Sequence, residues 1–209
     1  MIGRHVQPGD RTVETGSGAS TVMFVAAGAK HTAVSPDGRE HARIRDYCHQ
    51  IGMDDGGLGF VEAASDAYLP RLDPGSPLDA VFIDGAHRFP HPVVDWHYLS
   101  RCLRVGGVMM LDDVPIPSVA VLFHAMRDDP GWEVLETADD RAAAFRKVAE
   151  GPVGDRWRDQ PFNRGFPDVS FVPWRRRPVI QAVHFRRALR TRLGRRVPAA
   201  GKAWRRLWR

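Results

Sequence analysis

The stretch Val13-Glu14-Thr15-Gly16-Ser17-Gly18-Ala19-Ser20-Thr21 joins a short β-branched run to an apolar helical run, and it constrains the chain more than any other feature. A strand that ends in an acid, two glycines one residue apart and an immediate helix make a turn where bare backbone can press against a ligand. The free N–H groups of the new helix point the same way. Such a junction belongs at the carboxyl end of a strand in a larger sheet.

The rest of the chain supplies that sheet. β-branched and apolar runs predict strands at residues 12–15, 31–34, 58–63, 80–83 and 108–111, and helical patterns predict helices at 20–29, 39–50, 65–72, 93–103 and 117–127. Residues 80–83, opened by Asp79 and closed by Asp84-Gly85, read as a strand buried on both faces, and residues 108–111 do the same up to Asp112-Asp113. Gly106-Gly107 resets the chain before that strand, and residues 1–10 read as a polar lead. Residues 132–137 and 141–148 form a hairpin joined at Asp139-Asp140. This alternation predicts an α/β, doubly wound, Rossmann-like sheet, mostly parallel with a terminal β-hairpin. Ligands of such sheets sit at the carboxyl ends of the strands, where polar residues cluster here: 14–18, 35–37, 65–66, 84–87 and 112–113.

Charge divides the chain. Residues 175–209 hold 13 of the 30 Lys/Arg and no acid, which leaves 17 basic against 25 acidic residues in 1–174. We therefore expect a domain at 1–149 and, at 150–209, a Pro/Arg/Trp-rich extension with a basic amphipathic tail. Arginines beside Trp204, Leu207 and Trp208 favour an anionic membrane surface; nucleic acid would attract the same charge. No run of eighteen apolar residues and no basic-then-apolar start is present, and Cys48 and Cys102 lack metal-type spacing. These features predict a cytoplasmic protein with buried thiols, peripheral at most to the inner face of the membrane.

Taken as a set, Glu14-Thr-Gly-Ser-Gly-Ala-Ser-Thr21, Val34-Ser-Pro-Asp37, Val81-Phe-Ile-Asp-Gly-Ala-His87 and Leu103-Arg-Val-Gly-Gly-Val-Met-Met-Leu-Asp-Asp113 resemble a class I S-adenosylmethionine-dependent methyltransferase. The nearest variety is a small bacterial group with an Asp-Gly-x-His strand end, many of them O-methyltransferases. The resemblance implies S-adenosylmethionine as cofactor. It gives Glu14, Gly16 and Gly18 to its methionine part, with Ser20 and Thr21 opening the helix, and Ser65 and Asp66 to adenine. The family usually has an acid for the ribose hydroxyls where Ser35 stands, so Asp37 is the expected substitute. Asp84 is assigned to both cofactor and catalysis.

For a hydroxyl acceptor the chemistry needs alignment and a base. His87 is the leading candidate because imidazole titrates near neutrality, with His91 and His97 behind it. Asp84, Asp112 and Asp113, at two neighbouring strand ends, are also candidates to hold Mg²⁺, as in metal-dependent O-methyltransferases. The expected acceptor is a small molecule or glycan. Two other classes share parts of the pattern. An NAD(P)-dependent oxidoreductase fits poorly, because Thr21 replaces the third glycine and Ser35 the acid. A noncatalytic nucleic-acid-binding module leaves the strand-end acids without a role.

Overall fold

The computed structural model describes residues 1–150, 169–183 and 185–186. The chain divides into two compact units, Met1–Asp155 and Arg156–Arg209. In the first unit the strands are β1 (Arg11–Thr15), β2 (Lys30–Ser35), β3 (Leu58–Glu62), β4 (Leu78–Ile83), β5 (Leu103–Leu111), β6 (Trp132–Ala138) and β7 (Ala142–Lys147). Its helices are α1 (Ile2–His5), α2 (Ala19–Ala26), α3 (Gly38–Gln50), α4 (Ser65–Tyr68), α5 (His91–Cys102) and α6 (Pro117–Arg127).

The seven strands form one sheet in the order β3-β2-β1-β4-β5-β7-β6. Strands β1 to β5 pair in parallel, and β7 runs antiparallel to both β5 and β6. Strand order reverses between β1 and β4, the point at which open α/β sheets form a crevice at the carboxyl ends of their strands. The apolar run of β4 follows from its place in the centre. Val81 and Ile83 pack with Leu99, Val119 and Leu122 of α5 and α6, whereas Ala80 and Phe82 pack with Ile2 and Phe24 on the other face. Burying such a side chain stabilises by roughly 1.5–3 kcal/mol, so both faces of the central strand hold the sheet to its helices.

Three features differ from the sequence expectation. Residues 1–10 are not merely a polar lead: α1 buries Ile2, and Val6 follows it one turn later on the same side. A single turn is too short for hydrophobic periodicity to show. Arg4 and His5 then pair with Glu136 of β6 at 2.6 and 2.8 Å. Strand β5 begins at Leu103 rather than 108, because Leu103 pairs with Leu78 and Val108 with Ala80 across a register shift. The Gly106-Gly107 reset is that irregularity, with Gly106 at φ +85°. Lys147, 4% exposed, is a buried cation at the end of β7; it donates to the carbonyls of Ser100 (3.0 Å) and Leu103 (2.6 Å) and to Glu150 (2.8 Å). It thereby satisfies carbonyls at the α5 terminus that the helix leaves free.

In the second unit, Trp174–Arg176 make a 3₁₀ turn and residues 177–183 and 185–186 are helical. Arg177 ties this start together by donating to the carbonyls of Val172 (2.8 Å) and Ser170 (2.7 Å). Phe171, Trp174, Val179 and Phe185 are exposed. Nine of the thirteen tail cations, with Trp204, Leu207 and Trp208, lie outside the described residues, as does most of the extension expected between 150 and 178. Among the described residues no helix is long and apolar enough to cross a membrane, and Cys48 and Cys102 are free, buried thiols.

Candidate functional site

The glycine turn leaves β1 directly into the crevice. Gly16 has φ +93°, and its N–H donates to the Val34 carbonyl at 2.9 Å. A Cβ at Gly16 would stand 2.3 Å from the Asp84 carbonyl oxygen, so only glycine fits. Gly18, the N-cap of α2, differs: a Cβ there would meet no protein atom within 4 Å. Gly16 thus brings β1 and β4 together, and Gly18 fronts open space.

Glu14 is fully buried and turned inward. It accepts from Ser20 Oγ at 2.7 Å and from Thr21 Oγ1, and His31 Nε2 lies 3.2 Å away. Thr21 Oγ1 also accepts from Gly18 N at 3.0 Å, so Thr21, not Ser20, caps α2. The far side of His31 is held by Thr12 Oγ1 at 2.7 Å, and its ring stacks on Phe24. Glu14, Ser20 and Thr21 therefore lock the shape of the turn from beneath, and the surface they leave toward the crevice is backbone.

At the end of β2, Ser35 is buried and its Oγ accepts from Asp37 N at 3.3 Å. Asp37 caps α3, with Oδ1 accepting from Arg39 N (3.0 Å) and Glu40 N (3.1 Å). Two further acids, not singled out from sequence, converge here. Glu40 accepts from Ser17 Oγ at 2.8 Å, joining α3 to the glycine turn. Glu62, at the end of β3, lies against the α3 N-terminus, where a Cβ on Gly38 would come 2.5 Å from its Oε2. Acids from α3 and β3 thus stand close to position 35, where the expected acid is missing. Glu40 had a sequence signal as the third residue after a capping Asp; Glu62 had only its place at a strand end.

Ser65 and Asp66 open α4. Beside Ser65 lies Asp95 of α5, 1% exposed, with the Ser65 and Thr15 hydroxyls next to it but no fully formed hydrogen bond to its oxygens. Burial pushes the Asp95 carboxyl up, and those hydroxyls partly offset the push. His91, at the start of α5, has a buried Nδ1 without a hydrogen-bond partner, whereas His97 points outward with its ring against Tyr98.

The last group stands at the ends of β4 and β5. Asp84 is pushed up from the usual 3.8 to about 7, first by burial and then by the charges of Asp112, Glu14 and Asp113. Arg141 opposes that rise. His87 Nε2 lies 3.8 Å from both Asp84 Oδ1 and Asp113 Oδ2 and has no hydrogen-bond partner; the His87 carbonyl accepts from Ser118 Oγ. A group half ionised near neutrality beside an unpaired imidazole nitrogen can take up a proton from a hydroxyl.

The expected metal trio does not fit this geometry. Arg141, immediately before β7, donates from Nη2 to Asp112 Oδ2 (3.1 Å), and its Nε forms an ion pair with Asp113 Oδ1 at 2.9 Å. Its fork engages one oxygen of each of these two carboxylates and brings a fixed positive charge to the place a cation would take. Among the described residues no three His, Cys, Asp or Glu side chains are grouped to hold a metal ion. Sequence gave no sign of Arg141, which reaches the two acids from 28 positions beyond Asp113.

Comparison with known proteins agrees with this architecture. A family described as methyltransferase domain matches residues 13–114. No curated protein matches the sequence. Among solved structures, a proposed rRNA methylase from Clostridium thermocellum aligns at TM-score 0.58 and 14% identity, over 72% of this chain and 93% of its own. A proposed methyltransferase from Streptococcus mutans, in complex with SAH, aligns at 0.53 and 12% over 70% and 93%. A proposed O-methyltransferase from Klebsiella pneumoniae aligns at 0.56 and 18% over 67% and 74%. With this strand order, a glycine turn at the switch point and a methyltransferase-domain family matching residues 13–114, the chain has the Rossmann-like fold of the class I S-adenosylmethionine-dependent methyltransferases.

Proposed function

We propose that the protein is an O-methyltransferase acting on a hydroxyl of a small molecule or glycan. The observation that carries this reading is the pairing of Asp84, raised to about 7, with the unpartnered His87 Nε2 at the mouth of the crevice. An amine acceptor, once neutral, already has a lone pair; a hydroxyl needs its proton removed. When bound, S-adenosylmethionine supplies a methyl group on a sulfonium, which carries most of the driving force.

The fit to that cofactor rests on this chain's own residues. Open space over Gly18 and the backbone held in place by Glu14, Ser20 and Thr21 suit the methionine part. Asp37, Glu40 and Glu62, around the buried Ser35, suit the ribose hydroxyls, and Ser65 and Asp66 the adenine. The backbone contact between Gly16 and Asp84 sets the turn beside the proton acceptor, so both ends of the displacement are fixed by one junction. Asp84 receives the acceptor's proton at a carboxylate oxygen, with His87 Nε2 next in line.

Incubation with methyl-labelled S-adenosylmethionine and a panel of catechols, sugars, amines and ribosomal RNA tests the reading. Label recovered in ethers is expected; label confined to nitrogen, or to ribosomal RNA, would overturn it. For the tail, the reading is attachment to an anionic membrane surface, supported by Phe171, Trp174, Val179 and Phe185 exposed among arginines. Each basic residue near such a surface contributes about 1 kcal/mol, and salt screens it. A chain ending at Arg177 is expected to keep cofactor affinity and lose binding to phosphatidylserine vesicles. Equal vesicle binding by both lengths would reject the anchor, and retention on RNA in preference to vesicles would replace it with a nucleic-acid contact.

A further inference from the structure

We infer that Arg141 is a built-in cation: its guanidinium stands where a divalent ion would bridge the strand-end carboxylates, and it makes the site independent of metal. The inference deepens the methyl-transfer reading and rests on it.

Three aspartates at two adjacent strand ends repel one another, and some positive charge has to balance them in a partly buried mouth. Arg141 delivers it in a fixed way. Its two N–H donors straddle neighbouring carboxylates, one each, with Asp112 at 3.1 Å and Asp113 at 2.9 Å. A planar fork suits that task, whereas a lysine would offer a single point charge.

The backbone fixes the arginine as well. Arg141 N–H donates to the Ala138 carbonyl at 2.9 Å, and the Arg141 carbonyl accepts from Val114 N at 2.7 Å. The hairpin turn before it holds Asp139 and Asp140 at φ +50° and +52°, and Asp113 opposite is held at φ +50°. The β6–β7 turn and the loop after β5 thus meet through a main-chain hydrogen bond and two ion pairs. Although the guanidinium is 63% exposed, it is not a casual surface pair, because the main chain on both sides of the contact is anchored.

Chemical consequences follow from the difference between a guanidinium and a metal. Mg²⁺ needs oxygen ligands at about 2.0–2.1 Å in near-octahedral order, and one oxygen each of Asp112 and Asp113 is already paired with Arg141. A guanidinium cannot bind the acceptor oxygen as a Lewis acid. It can only fix the Asp112-Asp113 loop and temper the negative field at Asp84, which leaves the Asp84/His87 pair to handle the proton. Arg141 is therefore a positioning residue.

Calorimetric titration of the full chain with MgCl₂ and with MnCl₂ tests this, with SAH binding measured alongside. The intact chain is expected to show no saturable metal binding up to about 1 mM, and methyl transfer to survive exhaustive chelation. Arg141→Ala and Arg141→Gln are expected to gain metal binding by at least ~10-fold, since three carboxylates are then left without their cation, while Arg141→Lys stays closer to the intact chain. Thermal melts of all three variants report which are folded, and folded variants carry the comparison. Metal binding by the intact chain that Asp112→Asn abolishes would overturn the inference. So would folded Arg141→Ala and Arg141→Gln that bind no metal, because the position would then not be a cation site. Failure of the intact chain to bind SAH would instead strike the methyl-transfer reading, which this metal titration leaves separate.

Discussion

Gly18→Val is expected to fold with a melting temperature within about 2 °C of the parent, yet to bind S-adenosylmethionine at least ~100-fold more weakly, a loss of about 2.7 kcal/mol. The Gly18 Cβ position faces no protein atom within 4 Å, so a side chain there costs the fold little and fills the space over the turn. Gly16→Val is expected to fail differently. At φ +93°, with the Asp84 carbonyl 2.3 Å from the new Cβ, it cannot be accommodated without parting β1 from β4. Its melting temperature should fall even without ligand. Calorimetry beside thermal melts distinguishes the two, and a folded Gly18→Val with unchanged affinity would show that the cofactor does not lie over this turn.

Asp84→Asn and His87→Ala are the other large effects, each expected to lower kcat by roughly 10²–10⁴-fold, the range for loss of a positioned proton acceptor. The pH dependence gives a sharper signature. With Asp84 raised to about 7, the rate of the parent should climb as pH passes through neutrality and the carboxylate forms. In Asp84→Asn that limb should vanish. Stability changes in the opposite sense. A carboxyl whose folded value lies above its unfolded one contributes stability that is present below about pH 4 and lost as pH rises through about 7. At pH 8 the folded apoprotein carries a strained charge that Asn removes, so Asp84→Asn should melt above the parent at pH 8 and lose that advantage at pH 4. An Asp84→Asn variant as active as the parent with the same pH limb would remove Asp84 from the proton path, and one destabilised at pH 8 would contradict a raised Asp84 carboxyl.

The parts of this architecture legible in sequence were those set by local pattern. The central strands β4 and β5 show as apolar runs, at 80–83 and 108–111, because both faces are covered, and β1 shows by its β-branched residues and the glycine turn after Thr15. What was not legible depended on distant partners. Arg141 acquires its place only when the antiparallel β7 lies beside β5, and Glu62 reaches the α3 N-terminus only through the β2–β3 pairing. Asp95 looked like one polar residue in a helix, and only packing reveals it as a buried carboxyl beside Thr15 and Ser65. Asp37 illustrates the converse. Its sequence position suggested a ribose contact, while the fold engages one of its oxygens in capping α3 and brings Glu40 and Glu62 alongside. Local pattern reports which backbone reaches the crevice; long-range pairing decides which side chains line it.

Direct titration of the intact chain with S-adenosylmethionine, with NAD in a parallel cell, tests the central claim most directly. Saturable one-to-one binding of S-adenosylmethionine, displaced by SAH and absent with NAD, is the predicted result. Binding of NAD without S-adenosylmethionine would contradict the account, because the same turn would then serve a dinucleotide.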